Sequence, residues 1–146
     1  MHDKKTIAVI VLILVAILLA GCTGTQSSSG SGTYAGSPSA ESNLIISPTD
    51  VMPDNNAVSV TVQQKVYDGT IPVVFDGGKG QNLVKSVDVT LYTSDGRVIT
   101  ASIGTNKDDS VTLQGTKQTD RVVVTVSEMN GQTYKVADVL SPYRQH

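Results

Sequence analysis

The sequence contains one cysteine, no tryptophan, one phenylalanine and two histidines in 146 residues. A single cysteine excludes an internal disulfide and any zinc site built on a cysteine pair. The histidines, His2 and His146, lie at opposite ends of the chain, so catalysis by a Ser-His-Asp or Cys-His arrangement has almost nothing to draw on. We therefore expect a protein that is not an enzyme and that holds no cofactor.

The chain also lacks an excess of positive charge. It carries 11 basic and 13 acidic side chains, which give a formal net charge of −2 at pH 7. Nucleic-acid binding requires a clustered basic face, and no such cluster is present. We expect no nucleic-acid partner.

The N-terminus has the pattern of an export signal. Lys4 and Lys5 precede an uninterrupted apolar run at residues 7–20, and this order matches the basic and apolar regions of a secretory signal peptide. A permanent transmembrane helix needs about 20 apolar residues, so the run is short for that role. Cleavage is the favoured interpretation, and an uncleaved anchor stays open as an alternative.

A more specific motif follows the apolar run. Leu19, Ala20, Gly21 and Cys22 resemble the lipobox of prokaryotic lipoproteins, archaeal ones included, in which small residues precede a lipid-modified cysteine. The resemblance covers residues 1–22 only. It implies a signal peptide at residues 1–21, cleavage after Gly21, and a thioether-linked diacyl- or dialkylglycerol on Cys22. Two lipid chains would anchor the protein durably, whereas one chain binds a membrane only marginally.

Type IV pilins offer a second interpretation of the same segment. Their signals are cleaved before the apolar run, which is then retained as the helix that assembles the filament. A glutamate is common near the start of that helix, but residues 6–20 contain no acidic side chain. The pilin interpretation also leaves Cys22 and its small neighbours unexplained.

Residues 22–43 have the composition of a linker. Fourteen of the 21 residues from Thr23 to Asn43 are Ser, Thr or Gly, and Glu41 carries the only charge. Such a segment cannot bury enough apolar surface to offset the entropy cost of ordering it, so we expect a disordered stalk.

Residues 44–146 have the pattern of β-strands. β-Branched residues dominate, and apolar and polar side chains alternate with a period of two, which is typical of half-buried strands. No amphipathic helical pattern occurs in this region. The predicted strands are 58–62, 71–75, 87–91, 97–103, 111–113, 122–126 and 132–136.

Two dipeptides predict hairpins within this region. Asp95-Gly96 and Asn130-Gly131 each separate two alternating runs, which is a strong short-range signal for a hairpin turn. Seven short strands in about 100 residues predict an all-β fold, a small antiparallel β-sandwich of immunoglobulin-like or fibronectin-like architecture, with a β-barrel as the alternative. The tryptophan and the cysteine pair of antibody domains are absent.

We expect aromatic side chains and the C-terminal segment to pack with an aliphatic core. We expect this core to include Tyr67, Phe75, Tyr92, Tyr134 and Tyr143. The apolar residues of 134–143 also predict a packed C-terminal strand. The alternative for 141–144 is an exposed aromatic and arginine contact patch.

One glycine-rich segment is the first candidate for a binding loop. Asp76, Gly77, Gly78, Lys79 and Gly80 place three glycines around one lysine. A phosphate-binding P-loop requires Gly-Lys followed by Ser or Thr at the start of a helix, and this sequence departs from it. A mobile loop between two strands is the alternative.

Two polar segments are candidates for metal sites. Asp50, Asp54 and the adjacent asparagines form one, and residues 106–109 form the other. Neither has the alternating ligand spacing of a calcium loop. We expect solvated turns at both places and no metal.

Together, the N-terminal motif, the linker and the β-domain resemble prokaryotic surface lipoproteins. The favoured function is a membrane-anchored, non-enzymatic interaction or structural module at the outer face of the cytoplasmic membrane or another extracytoplasmic face. Its expected partners are membrane lipid through Cys22 and an unknown cell-surface protein or glycan. The alternatives are a pilin-like subunit and an accessory lipoprotein that binds a small ligand or glycan.

Overall fold

The computed structural model describes residues 43–144. It contains seven strands, each of which overlaps a strand predicted from the alternation. They are β1 Val58–Val62, β2 Thr70–Gly78, β3 Val84–Tyr92, β4 Val98–Ile103, β5 Ser110–Gln114, β6 Asp120–Glu128 and β7 Thr133–Ser141, with one short 3₁₀ helix at Gln81–Leu83. Within the described range, no helix has the length and apolar character needed to cross a membrane.

The strands form two antiparallel sheets that pack face to face. One sheet has the order β1-β2-β5, and the other has the order β4-β3-β6-β7. Each inner face is lined by alternate residues of its strands, as expected for a sandwich. The prediction of a small antiparallel β-sandwich is confirmed.

The core is aliphatic and centred on valine. Phe75 is the one aromatic side chain among the buried hydrophobic residues of the described range. The prediction of an aromatic contribution from the tyrosines is therefore wrong, and Tyr67 is 79 % exposed. The buried apolar set is Ile71, Val73, Phe75, Val84, Val87, Val89, Leu91, Ile103, Leu113, Val122, Val124, Val126 and Ala137.

Both predicted hairpins are present. β3 and β4 pair across Asp95-Gly96, and β6 and β7 pair across Asn130-Gly131. Gly96 and Gly131 have φ angles of 84° and 88°. This region of backbone space is strained for side chains with a Cβ, which explains glycine at these two turns.

Pro72 occupies a central strand rather than an edge. It is the third residue of β2, which pairs with β1 on one side and β5 on the other. The Pro72 carbonyl accepts a hydrogen bond from the Gln63 N–H at 2.9 Å, one residue beyond the end of β1. The missing N–H of proline therefore falls where the β1–β2 ladder has ended.

A β-bulge alters which side chains of β7 are buried. Val124 pairs with Ala137 and Thr125 pairs with Lys135, so Val136 is the extra residue. Beyond the bulge, Ala137 lies opposite Val124 and belongs to the core, and its neighbour Asp138 on the other face is also buried. The predicted C-terminal strand is present as β7 at the edge of the four-stranded sheet, and its side chains Val139 and Leu140 are 38 % and 45 % exposed.

The antiparallel connections give the sandwich two distinct ends. The chain enters at Asn43, whose carbonyl accepts a hydrogen bond from Arg121 near the start of β6. We call this end, formed by residues 63–69, 93–97, 115–119 and 142–144, the entry end. The opposite end, formed by residues 79–83, 104–109 and 129–132, is the far end.

Candidate functional site

The residues that resemble a lipobox, Leu19, Ala20, Gly21 and Cys22, lie outside the described residues, as do residues 23–42 of the predicted stalk. Their role stays a prediction. The described part of the chain does establish where the segment that follows them joins the sandwich, and this attachment is built around Asp138.

Asp138 fixes the incoming chain to the outer face of the four-stranded sheet. Its carboxylate accepts two hydrogen bonds from the Arg121 guanidinium, at 2.7 and 2.6 Å. It also accepts hydrogen bonds from the backbone N–H and the hydroxyl of Ser47, at 3.0 and 2.9 Å. Farther along β7, Asp50 exchanges hydrogen bonds with the backbone of Lys135. The segment from Asn43 to Asp50 therefore runs along β7 and covers part of this exposed sheet edge.

The pKa of Asp138 reflects these contacts. The hydrogen bonds from Arg121 lower the pKa of the carboxyl strongly, and those from Ser47 lower it further. Burial acts in the opposite direction but is outweighed. The carboxylate is therefore ionised in the folded protein at neutral pH. Arg121 also lies over the ring of Tyr92, with its guanidinium carbon 5.4 Å from the ring centre.

A second ion pair closes the entry end from inside. The Lys65 ammonium lies 2.6 Å from Asp120 Oδ2, and both side chains are fully buried. Lys65 also donates to the Gln118 carbonyl at 2.6 Å. Asp120 accepts further hydrogen bonds from the backbone N–H groups of Ser94 and Thr116 and from the Thr116 hydroxyl, at 2.7–2.9 Å. One carboxylate thus joins three loops of this end.

The same contacts set the protonation of Asp120. Burial by itself raises the pKa of this carboxyl, but the hydrogen bonds from Lys65, Thr116 and Ser94 together hold it below its ordinary value. Burying two charges is costly unless the remaining polar atoms are also paired. Here the two oxygens of the Asp120 carboxylate together accept four hydrogen bonds, which offset the cost of burying the Lys65–Asp120 ion pair.

An open groove lies beside this ion pair, between the end of β1 and the end of β7. It has a volume of about 240 Å³. The hydroxyl of Ser141, which lines it, is buried and has no hydrogen-bond partner among the described residues. The groove is lined by residues 62–65, 139–142 and 144.

The glycine-rich segment is largely part of the sheet. Asp76, Gly77 and Gly78 belong to β2, and Asp76 is the extra residue of a bulge opposite Ser59 and Val60. The Asp76 carboxylate accepts hydrogen bonds from the hydroxyls of Ser59 and Thr61 on β1. These contacts within the chain give Asp76 a structural role. Ligand binding by the segment stays a prediction.

Lys79 and Gly80 form the turn after β2. Lys79 is exposed, whereas Gly80 is buried against the loop at Asn56. A Cβ on Gly80 would overlap the carbonyl oxygen of Asn56, and one on Gly78 would overlap that of Ala57. Both glycines are therefore required by close approach of the backbone.

We expect Gly80→Ala to destabilise the protein by about 1–3 kcal/mol, since an overpacked side chain forces the backbone to shift. Gly131→Asn is the matched control, because a Cβ there meets no atom within 4 Å and asparagine tolerates a positive φ. Urea unfolding of both variants checks this. Equal stability of the two would show that the loop at Asn56 moves freely away from Gly80.

A buried glutamate lies at the far end of the same strand that carries Asp120. Glu128 Oε2 accepts hydrogen bonds from the side-chain amides of Asn56 and Asn130, at 3.2 and 2.8 Å. Glu128 Oε1 is buried and has no hydrogen-bond partner within the described range. The inward row of β6 therefore reads Asp120, three valines and Glu128, with a carboxylate closing each end of the core.

We expect Glu128→Gln to leave the protein at least as stable as the wild type at neutral pH. The amide has the same shape and keeps an oxygen that accepts the hydrogen bonds from Asn56 and Asn130. Glu128→Ala should be destabilising, because it leaves both asparagine amides without their acceptor. A melting temperature of Glu128→Gln well below wild type would contradict this and show that the carboxyl group itself is needed.

The two polar segments that are candidate metal sites form turns. Asp109 Oδ2 accepts a hydrogen bond from the Asn106 N–H at 2.8 Å, and Asp108 has a φ angle of 69° at the same turn. Asp50 is bound to β7. Among residues 43–144, no three His, Cys, Asp or Glu side chains lie close enough together to hold a metal ion.

Three structural side chains escaped the sequence reasoning. Asp120 gave one weak signal, since it continues the apolar row of Val122, Val124 and Val126, whereas Lys65 lies three residues beyond β1 and outside its alternation. Asp138 gave no usable signal, because its burial depends on the segment that contains Ser47, which carries no strand pattern.

Comparison of the chain with protein-family models, with curated proteins and with solved structures finds no match to any of them.

Proposed function

We propose that the protein is a lipid-anchored extracytoplasmic module, displayed at the outer face of the cytoplasmic membrane and acting through binding or structure rather than catalysis. One observation carries the proposal. Leu19, Ala20, Gly21 and Cys22 stand where the apolar run ends, which is where a lipoprotein signal requires them.

The position of the only cysteine supports this. A thiol is the one side chain in this chain that forms a stable thioether with a lipid, and the sequence places it next to small residues that let a peptidase reach the backbone. Elsewhere the chain has no cysteine. The residue therefore has no disulfide partner to explain its presence.

The attachment of the chain to the sandwich also suits a displayed module. The segment from Asn43 to Asp50 is held by Asp138 and Lys135. The preceding linker, residues 23–42, spans roughly 70 Å when extended. A folded domain on a linker of this length would be held near a membrane without crossing it.

The substitution Cys22→Ser tests the proposal when the variant is expressed in the cells that naturally make the protein. The variant should keep residues 1–21, because lipoprotein processing requires the lipidated cysteine, and it should migrate as the longer precursor. Ser28→Ala, a change in the linker that leaves the lipobox intact, is the matched control and should be processed as the wild type. Incorporation of labelled lipid precursor should occur in the control and be absent in Cys22→Ser.

The pilin alternative makes the opposite prediction for the same variants. A pilin is cleaved before the apolar run and needs no cysteine, so Cys22→Ser would be processed and retained in the membrane like the wild type. That result would overturn the lipoprotein proposal.

A further inference from the structure

The entry end exposes large apolar side chains. Tyr67 is 79 % exposed, Leu140 is 45 % exposed and Val66 is 37 % exposed. Tyr143 is half-buried, and its hydroxyl donates to the Tyr67 carbonyl at 2.8 Å. This hydrogen bond joins Tyr143 to Tyr67, and Leu140 lines the groove together with Lys65, the residue before Val66. We call Val66, Tyr67, Leu140 and Tyr143 the entry-end patch.

Two exposed cations, Lys117 and Arg144, lie at the same end of the sandwich as the patch. Lys117 lies on the loop that is tied to the β1–β2 loop by the hydrogen bond from Lys65 to Gln118. Arg144 follows Tyr143 and lines the groove. Tyrosine beside lysine and arginine is the composition that favours the boundary between water and lipid, where the ring meets apolar surface and the cation meets phosphate.

The other charged groups of the entry end do not oppose a contact with phosphate. Arg97 pairs with Asp95 at 2.9 Å. The Asp68 carboxylate is occupied by the backbone N–H and the hydroxyl of Thr70. Lys65 and Asp120 neutralise each other inside the domain. Over the described residues, the exposed surface of this end therefore carries three cations (Arg97, Lys117, Arg144) against two carboxylates (Asp68, Asp95).

The chain enters the sandwich at this same end. Arg121, on the second residue of β6, holds the carbonyl of Asn43. Residues 23–42 separate Asn43 from Cys22, so a lipid on Cys22 would keep the entry end within roughly 70 Å of the bilayer. Tethering of this kind raises the effective concentration to about the millimolar range for a short flexible link. A contact too weak to form in free solution would then be populated.

We propose that the entry-end patch docks on the surface of the bilayer that carries the anchor. Tyr67, Leu140 and Tyr143 enter the headgroup region, and Lys117 and Arg144 contact lipid phosphates. This inference rests on the proposed lipid anchor. It directs the far end, with Leu83 and Met129 exposed, away from the membrane and toward solution.

Tryptophan fluorescence tests the docking directly, because the natural chain contains no tryptophan. Tyr67→Trp places a single reporter in the patch, and Met129→Trp places a matched reporter at the far end, where Met129 is 70 % exposed. Both full-length lipoproteins are purified from membranes. They are reconstituted into phosphatidylcholine vesicles that contain phosphatidylglycerol and brominated acyl chains.

With docking, the emission of Tyr67→Trp shifts to the blue and is quenched by the brominated lipid, whereas that of Met129→Trp does neither. Adding Leu140→Asp to Tyr67→Trp should abolish the quenching. Flotation of the vesicles reports anchoring separately. Protein that floats with unquenched Tyr67→Trp overturns the docking and leaves the anchor standing, and protein that fails to float overturns both.

A protein partner at the same surface gives another pattern. A blue shift of Tyr67→Trp that occurs in detergent without vesicles, depends on protein concentration and is insensitive to bromine would show self-association. That outcome also overturns the docking on lipid.

Discussion

Asp120→Ala is expected to lower the free energy of unfolding by about 3–5 kcal/mol, the usual cost of breaking a buried ion pair by removing one partner. The Lys65 ammonium would remain fully buried without a counter-ion. The N–H groups of Ser94 and Thr116 would also lose their acceptor. Chemical unfolding at neutral pH, compared with Asp54→Ala at an exposed position, measures the loss.

A second substitution separates the charge effect from the loss of hydrogen bonds. Adding Lys65→Met to Asp120→Ala removes the uncompensated ammonium, so the double variant should recover part of the stability that the single variant loses. The backbone N–H groups stay unpaired, so recovery should be incomplete. If Asp120→Ala costs less than about 1 kcal/mol, the loss expected for an exposed ion pair, Lys65 reaches water in the variant and the buried pair does not hold this end together.

Asp138→Asn is expected to lower the free energy of unfolding by about 1.5–3 kcal/mol at pH 7, the range for hydrogen bonds to a charged group. The effect should be smaller than at Asp120, because Arg121 keeps some contact with water. Arg121 and Ser47 would lose a charged acceptor. Hydrogen exchange at the Ser47 amide should accelerate, since its acceptor is Asp138.

The same variant should change the pH dependence. The folded-state pKa of Asp138 is depressed, so its stabilising contribution is fully present above the unfolded pKa of about 3.9 and is lost as the pH falls below it. Asp120 contributes in the same direction. Asp138→Asn should therefore flatten the decline of stability below pH 4, and Asp54→Asn, the control, should leave it unchanged. An acid limb of wild-type slope in Asp138→Asn would contradict the assignment.

The strands and hairpins were predictable because they depend on local patterns. Val58, Val60 and Val62 alternate with polar residues whatever they pack against. Asn130-Gly131 forms its turn because glycine takes the positive φ that the hairpin needs. These features need no knowledge of distant contacts.

The buried polar residues were not predictable in the same way. Lys65 and Asp120 are 55 residues apart, and only the closed sandwich brings them together. Asp138 lies on the polar face of an edge strand and becomes buried because residues 43–47 fold back over it. Those residues carry no strand pattern, so no local signal indicates that they pack there.

The prediction that the tyrosines belong to the core was wrong for a related physical reason. Tyrosine is equally suited to a core and to a wet surface, since it has an apolar ring and a polar hydroxyl. In this chain the valines fill the space between the sheets. Tyr67 is therefore left outside, where it gives the entry end its apolar character.

The measurement that tests the central claim most directly is the intact mass of the mature protein isolated from its native membrane. A lipid-anchored module predicts the mass of residues 22–146 plus a two-chain lipid, and treatment that removes acyl or alkyl chains should shift only the N-terminal peptide. A mass that includes residues 1–21, or one that begins before the apolar run and carries no lipid, would contradict the account.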